Sequence, residues 1–458
     1  MISGIVKFFY PDIQREDIKK ASLLGLTFFF IVGAYWLLRL LKDLFFYNSL
    51  AFPVSLGWDA DSGRLAVPTA KFWSPFVVLG CVIIYTKLID MFEKYKLFYI
   101  IVGFYILAFS GITAIMFAQA TYGDAFVGKT LLLGTGYAAY WLTESFGSVL
   151  VAFFWSFTVS STPSDQAKRT FPFIVALGQI GSISFSTLLY FGLPTWMLLC
   201  VAILLLIGVF LTVRHLIRVI PADQMKSDKE EKKSKPDMLS GIKLLVTQPY
   251  FMGVLVVSTF YEIAGTIVDY QMKSQVKLAG MNFEWFQATL GTSVNVLSFV
   301  IALLGTSALM KRFGIRVCLL IYPASFAFML TGLYIYYQSG MSTPIMLAWA
   351  AFSVMLVVKA ASYAVNNPIK DMMYIPTSKD AKFKVKGIVD MLGGRSAKGT
   401  GAAIAGKFNV PGNPAASMHN LFLYGSLVGL GIIGVWIAAA LYVGRKNQSL
   451  VRNNEIIG

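Results

Sequence analysis

The residues of this sequence that could do chemistry are charges in places where charge is expensive. Arg39, Lys42, Lys359, Arg395 and Lys398, with the acids Asp43, Glu144, Glu262, Asp269 and Asp390, all fall inside long apolar runs. At the centre of a membrane-spanning helix such a group costs about 2.5–3.5 kcal/mol on insertion scales, so it faces a bundle interior or a wet cavity. Their spacing is helical. Arg39, Lys42 and Asp43 share one face, with Tyr35 one turn before; Arg395 and Lys398 are three apart; Glu262 and Asp269 are seven apart. Tyr137, Trp141, Glu144, Ser148 and Trp155 form one stripe, an acid flanked by aromatics. Point charges and donor forks of this kind suit a polyanionic cargo. The plain alternative is that these charges are interhelical ion pairs. That reading is favoured for Asp269 with Lys273, an i, i+4 pair near the outer face, and it also serves Asp43 with Arg39 or Lys42.

The elements that must position these groups follow from composition. Of 458 residues, 57% are hydrophobic and only 14% charged, against about 25% charged in a soluble domain. Mean hydropathy is +0.67. Runs of about 20 apolar residues match the length of helix that crosses ~30 Å of hydrocarbon, and the short alternating segments of a closed barrel are missing. Twelve spans are expected, at 21–46, 71–89, 97–118, 136–160, 170–190, 194–214, 250–272, 285–310, 315–337, 343–366, 384–407 and 417–444. The fold class is thus an all-α polytopic membrane protein of two six-helix halves, 1–214 and 250–458. They are joined by a linker, 215–249, whose Lys226–Pro236 charge run cannot pack a core.

The formal net charge of +16 would suggest nucleic acid in a soluble protein; here it reflects topology. With the N-terminus in the cytoplasm, 28 of the 39 Lys and Arg fall on the cytoplasmic side. Only Arg64, Lys71, Lys129, Lys273, Lys277 and Lys407 fall on the other. Three cysteines lie far apart in apolar stretches and suggest no disulfide framework. The first twenty residues mix Lys and Arg with Asp and Glu and read as neither signal nor transit peptide, so a bacterial inner membrane is expected. His215 and His419 fall at span ends and read as interfacial.

Six spans, a charged cytoplasmic linker and six spans is the outline of the major facilitator architecture. Gly305–Arg316 resembles that superfamily's short loop after the second helix of a half. Gly425 and Gly429 read as a helix-packing pair. Gly393–Thr400 looks faintly like a phosphate loop. It lacks the required spacing and a preceding strand, which excludes ATP hydrolysis and, with it, an enzyme.

One long run carries a family resemblance: Asn366-Asn-Pro-Ile-Lys-Asp-Met-Met-Tyr-Ile-Pro-Thr-Ser-Lys-Asp-Ala-Lys-Phe-Lys-Val-Lys-Gly-Ile-Val-Asp390, continued by Gly393-Gly-Arg-Ser-Ala-Lys398. It resembles the ATP/ADP translocases of plastids and obligate intracellular bacteria. Arg39–Asp43 and Glu144–Trp155 resemble that family's first and fourth spans. The resemblance implies that Lys42, Asp43, Glu144, Glu262 and Lys398 are its key charged positions. Two departures stand out. The family's Lys-Tyr-Ser-Leu-Phe-Asp is Ser362-Tyr-Ala-Val-Asn-Asn367 here, with Lys359 one turn earlier as the candidate substitute. The family's Gly-Lys-Ser is Ala397-Lys398-Gly399.

The reading that results is a nucleotide exchanger working by alternating access, without a cofactor, bound metal or nucleic acid partner, and acting as a monomer. Its expected substrate-binding set is Lys42, Glu144, Glu262, Lys398, Arg395, Lys359, Arg39, Asp390, Tyr137, Trp141, Tyr363 and Asn366. Lys42 and Lys398 would clamp phosphates, Arg395 and Lys359 would support them, and Tyr137, Trp141 and Tyr363 would stack on the base. Proton-driven nucleotide import, with Glu144 or Glu262 loading the proton, stays open beside it. So do transport of another phosphorylated or anionic metabolite and a non-transporting scaffold. The charge split makes one prediction directly: an engineered cysteine near Lys232 is labelled only after the membrane is permeabilised. Labelling in intact cells by an impermeant reagent would invert the map.

Overall fold

A computed structural model of the chain describes residues 13–221, 238–304, 306–362 and 366–457; the Lys226–Pro236 run, Gly305 and Tyr363 lie outside them. The described chain is almost wholly helical. Its one β-contact is a single parallel bridge between Thr377 and Ile457.

The helices are α1 (Arg15–Tyr47), α2 (Ser62–Met91), α3 (Lys94–Tyr122), α4 (Lys129–Ser160), α5 (Ser164–Ser186) and α6 (Thr195–Val219). They continue as α7 (Met238–Thr247), α8 (Pro249–Leu278), α9 (Phe283–Leu304), α10 (Thr306–Gln338) and α11 (Pro344–Ala361). The last five are α12 (Asn367–Met372), α13 (Lys379–Ile388), α14 (Gly394–Gly406), α15 (Pro414–Asn420) and α16 (Ser426–Arg452). Ten helical segments among the described residues are long and apolar enough to cross a membrane. The two remaining expected spans coincide with α9 and with the polar stretch from α13 to α14. Two five-residue π-turns, Val389–Gly393 and Leu421–Gly425, join α13 to α14 and α15 to α16. Such turns free backbone carbonyls, and the Gln271 amide donates to the carbonyl of Leu421.

Local chemistry accounts for the boundaries. Thr343, Ser378 and Asn413 cap α11, α13 and α15 by accepting from Met346, Ala381 and Ala416 N–H groups. Gly314, with φ 69°, breaks α10 inside the segment that resembles the major facilitator loop. α2 begins at Ser62, nine residues before the expected span, and carries Pro68 and Pro75 within it.

The chain forms two compact units. The first holds residues up to 60, 76–233 and 287–295; the second holds 61–75, 234–286 and 296–458. In the first, α1 packs on α4, α5 and α6. In the second, α8 packs on α11, α14 and α16. Two glycines permit the approaches that matter to the charged residues. A Cβ at Gly147 of α4 would collide with the Tyr35 ring of α1, and one at Gly401 of α14 would lie 2.6 Å from the Ile263 carbonyl oxygen of α8.

Gly401→Ala must therefore push α14 from α8. Overpacking of this kind costs about 1–3 kcal/mol, so a lowered melting temperature in detergent is expected. Gly434→Ala, at a position with open space around it, should leave it unchanged. Equal behaviour of the two variants would contradict the close packing.

Candidate functional site

Among the described residues, each unit contains a lysine–glutamate pair built from two helices. In the first, Lys42 of α1 pairs with Glu144 of α4. The lysine is 5% exposed, and its ammonium also lies 3.9 Å from the centroid of the Tyr140 ring, where the negative ring face adds to the attraction. Next to it, Asp43 is buried and accepts from Gln287 Nε2 at 3.1 Å. Arg39, partly buried, stacks over Trp36 at 4.7 Å.

The second unit reverses the arrangement, with the acid on its leading helix. Glu262 of α8 accepts from Tyr261 Oη at 2.8 Å and lies 3.4 Å from Lys398 Nζ of α14. Arg395 sits one turn before Lys398, partly buried. Asp390 lies in the π-turn just upstream and is exposed. Helices α8 and α14 can hold this pair because Gly401, three residues beyond Lys398, lets them touch.

Two turns along α8 from Glu262, Asp269 gathers three ammonium groups: Lys359 at 2.7 Å, Lys273 at 3.0 Å and Lys71 at 3.2 Å. The expected Asp269–Lys273 pair is there, but it is one part of a larger junction. Lys359, offered by the sequence as a support for phosphates, makes its closest ion pair with this acid. Sequence reasoning also missed Arg64, counted as a loop charge. It is 1% exposed; its guanidinium donates to Asp61 Oδ1 at 2.6 Å and Asn409 Oδ1 at 2.9 Å, and Tyr270 Oη donates to its carbonyl oxygen at 3.1 Å. Its helical setting, once α2 is seen to start at Ser62, was the available signal.

The aromatic candidates divide. Tyr137 and Trp141 lie 5.3 Å apart, with Phe46 edge-on to Tyr137 at 5.5 Å. Trp155, on the same stripe, packs among Phe28 and Phe171. Tyr363 lies outside the described residues. Asn366 is 4% exposed, and its Nδ2 has no acceptor among the described residues. His419 is exposed and bonded to Tyr337 Oη, and His215 is exposed. Among the described residues no cluster of His, Cys, Asp or Glu has metal-binding geometry.

These features belong to a polytopic helical membrane protein with paired charges among its spans. Solved structures agree on the fold: the nucleoside transporter NupG aligns over 93% of this chain and 99% of its own at a TM-score of 0.59 and 14% identity. A D-xylose-proton symporter aligns over 92% and 96% at 0.63, also at 12% identity. The sequence matches the family described as TLC ATP/ADP transporter over residues 1–126 and 130–446, and the chain belongs to that family. Relatives include the chloroplastic ADP,ATP carrier protein 2 of Arabidopsis thaliana, 25% identical over 97% of this chain and 77% of that one. The ADP,ATP carrier protein 1 of Chlamydia pneumoniae is 24% identical over 99% and 96%, and that of Rickettsia bellii 24% over 99% and 98%. Membership of that family makes the chain a transporter and not an enzyme.

The ion-pair geometry predicts unequal costs around Asp269. Breaking a buried pair by deleting one partner typically costs about 3–5 kcal/mol. Asp269→Asn removes the carboxylate that serves three lysines and should destabilise strongly; Lys71→Met leaves that carboxylate two ammonium partners and should cost much less. Thermal unfolding of both variants in detergent checks the order, and a milder effect for Asp269→Asn would refute the shared role.

Proposed function

We propose that the protein exchanges ATP and ADP across a membrane by alternating access, and that Lys42 and Lys398 hold the phosphates of the cargo. The observation that carries this reading is the pairing of each lysine with a glutamate, Lys42 with Glu144 and Lys398 with Glu262, in a chain of the TLC ATP/ADP transporter family. A cation held ready for phosphate in a low-dielectric site needs a counter-charge while the site is empty. Glu144 and Glu262 are stand-in anions, which the phosphates displace on binding. Arg395 adds a second donor group one turn from Lys398. Tyr137 and Trp141 offer ring faces for the base, and Lys359 supports through its junction with Asp269. The relatives named ADP,ATP carrier proteins support the cargo class. The cytoplasmic excess of Lys and Arg supports cytoplasmic termini, and the bacterial relatives support a bacterial inner membrane. We take the working form as the monomer.

Lys42→Ala and Lys398→Ala should each remove most ATP and ADP binding by the folded, purified protein; binding equal to the parent in either would reject the clamp. Glu262→Gln distinguishes the mechanisms. Unit charges 4 Å apart attract by about 4 kcal/mol at an effective dielectric near 20, a figure heavily reduced by desolvation. Releasing Lys398 from its stand-in should therefore tighten nucleotide binding modestly and slow turnover. If Glu262 carries a proton instead, this variant loses pH-driven uptake and keeps homo-exchange. Unchanged binding, exchange and pH response would remove Glu262 from the mechanism.

A further inference from the structure

The run 366–374 places three hydrogen-bond donors at intervals of four residues: the Asn366 amide, the Lys370 ammonium and the Tyr374 hydroxyl. α12 spans Asn367–Met372, the Asn366 backbone is itself helical, and Tyr374 follows in a turn closed by its N–H to the Asp371 carbonyl. The first two thus share one helical face, and the third follows about a turn later. Asn366 is 4% and Tyr374 2% exposed. Neither Asn366 Nδ2 nor Tyr374 Oη has a hydrogen-bond partner among the described residues. Two buried donors left without acceptors in one turn-spaced row is costly, since each such group forfeits about 1–3 kcal/mol.

Lys370 connects this row to the Lys398–Glu262 pair. Its ammonium lies 4.2 Å from the centroid of the Tyr261 ring, and the hydroxyl of that tyrosine donates to Glu262. Glu262, Asp390 and Lys398 are all within electrostatic range of Lys370. Among the described residues Lys370 makes no ion pair; its contact is the ring face. Of the acids in range, Glu262 already serves Lys398, Asp371 pairs with Lys386, and Asp390 is exposed in the π-turn. A row of donors beside a lysine whose acid is shared is complementary to an oxyanion with several oxygens.

We propose that Asn366 and Lys370, with Tyr374 behind them, form a second phosphate subsite adjoining Lys398, so that this row selects nucleoside di- and triphosphates over monophosphates. The inference rests on the reading of Lys398 as a phosphate ligand and adds the next phosphate along the chain. Lys398 takes one phosphoryl group; Lys370 and the Asn366 amide take its neighbour, satisfying donors that the empty site leaves unmatched. A nucleoside monophosphate reaches Lys398 alone and gains nothing from the row.

The test is equilibrium binding of AMP, ADP and ATP to the purified full chain, parent and variants. Lys370→Ala and Asn366→Asp, the latter close in shape but adding a negative charge, should each weaken ADP and ATP by roughly tenfold or more. AMP should stay within about twofold of the parent, and Lys370→Arg should restore most of the loss. Lys398→Ala should weaken all three nucleotides. If the Lys370 and Asn366 variants weaken AMP as much as ATP, or weaken none, the subsite is wrong while the Lys398 clamp stands. If Lys370→Ala yields no folded protein, Asn366→Asp and Lys370→Arg still report the ratio of ATP to AMP affinity, and an unchanged ratio in Asn366→Asp overturns the proposal. Failure of the parent to bind any of the three overturns the nucleotide reading and this inference together.

Discussion

A charge carried into hydrocarbon must bring its counter-charge with it, and that constraint orders the ionisable groups of both units. Lys42 and Glu144, Lys398 and Glu262, and Asp269 with Lys359 and Lys71 come from helices far apart in sequence, and Lys273 joins Asp269 from one turn along the same helix. The pairs form because glycines at 147 and 401 remove the side chains that would otherwise hold those helices apart. Isolated, each charge would destabilise its helix by a few kcal/mol. Paired, it costs little, and it can be re-paired with a different anion. That exchangeability is what separates a transport site from a structural salt bridge, and it explains why a bundle would retain acids and lysines where apolar packing would serve stability as well.

The junctions differ in how open they are to such re-pairing. Asp269 is 6% exposed and shared by three ammonium groups, and Arg64 beyond it is fully enclosed by Asp61, Asn409 and Tyr270. Those groups are bound from several sides, the signature of a fixed joint. The Lys398–Glu262 pair is longer, at 3.4 Å, with side chains 30% and 21% exposed. The contrast accords with the proposed phosphate role of Lys398 and with a structural role for the Asp269 junction.

Much of the fold was legible because its signal is coarse. Apolar runs of about 20 residues could only be helices, and α1, α3, α4 and α6 lie close to where hydropathy put them. Chain segments with mixed signals were read less well. Arg64 was counted with the loop charges, so the start of α2 at Ser62 was read as loop. The stretch 384–407, expected as one span, is helical throughout the described backbone, with a π-turn at Val389–Gly393 that hydropathy does not show. Single-residue membrane cost picked out Lys42, Glu144, Glu262 and Lys398, since a charge in an apolar run is visible locally. Partner identity is not local: nothing in the spacing says that Lys359 meets Asp269. Lys370 escaped because it follows Pro368 in a polar stretch and reads as a loop cation, and only its seat on the Tyr261 ring reveals its place.

The central claim is that the paired lysines trade one nucleotide for another, with the glutamates filling the interval. It is tested most directly by uptake of radiolabelled ATP into liposomes carrying the purified chain, with and without internal ADP, and with and without a pH gradient. The account predicts uptake that requires internal nucleotide and is indifferent to the gradient. Uptake into empty liposomes driven by the gradient, with no stimulation by internal ADP, would contradict it.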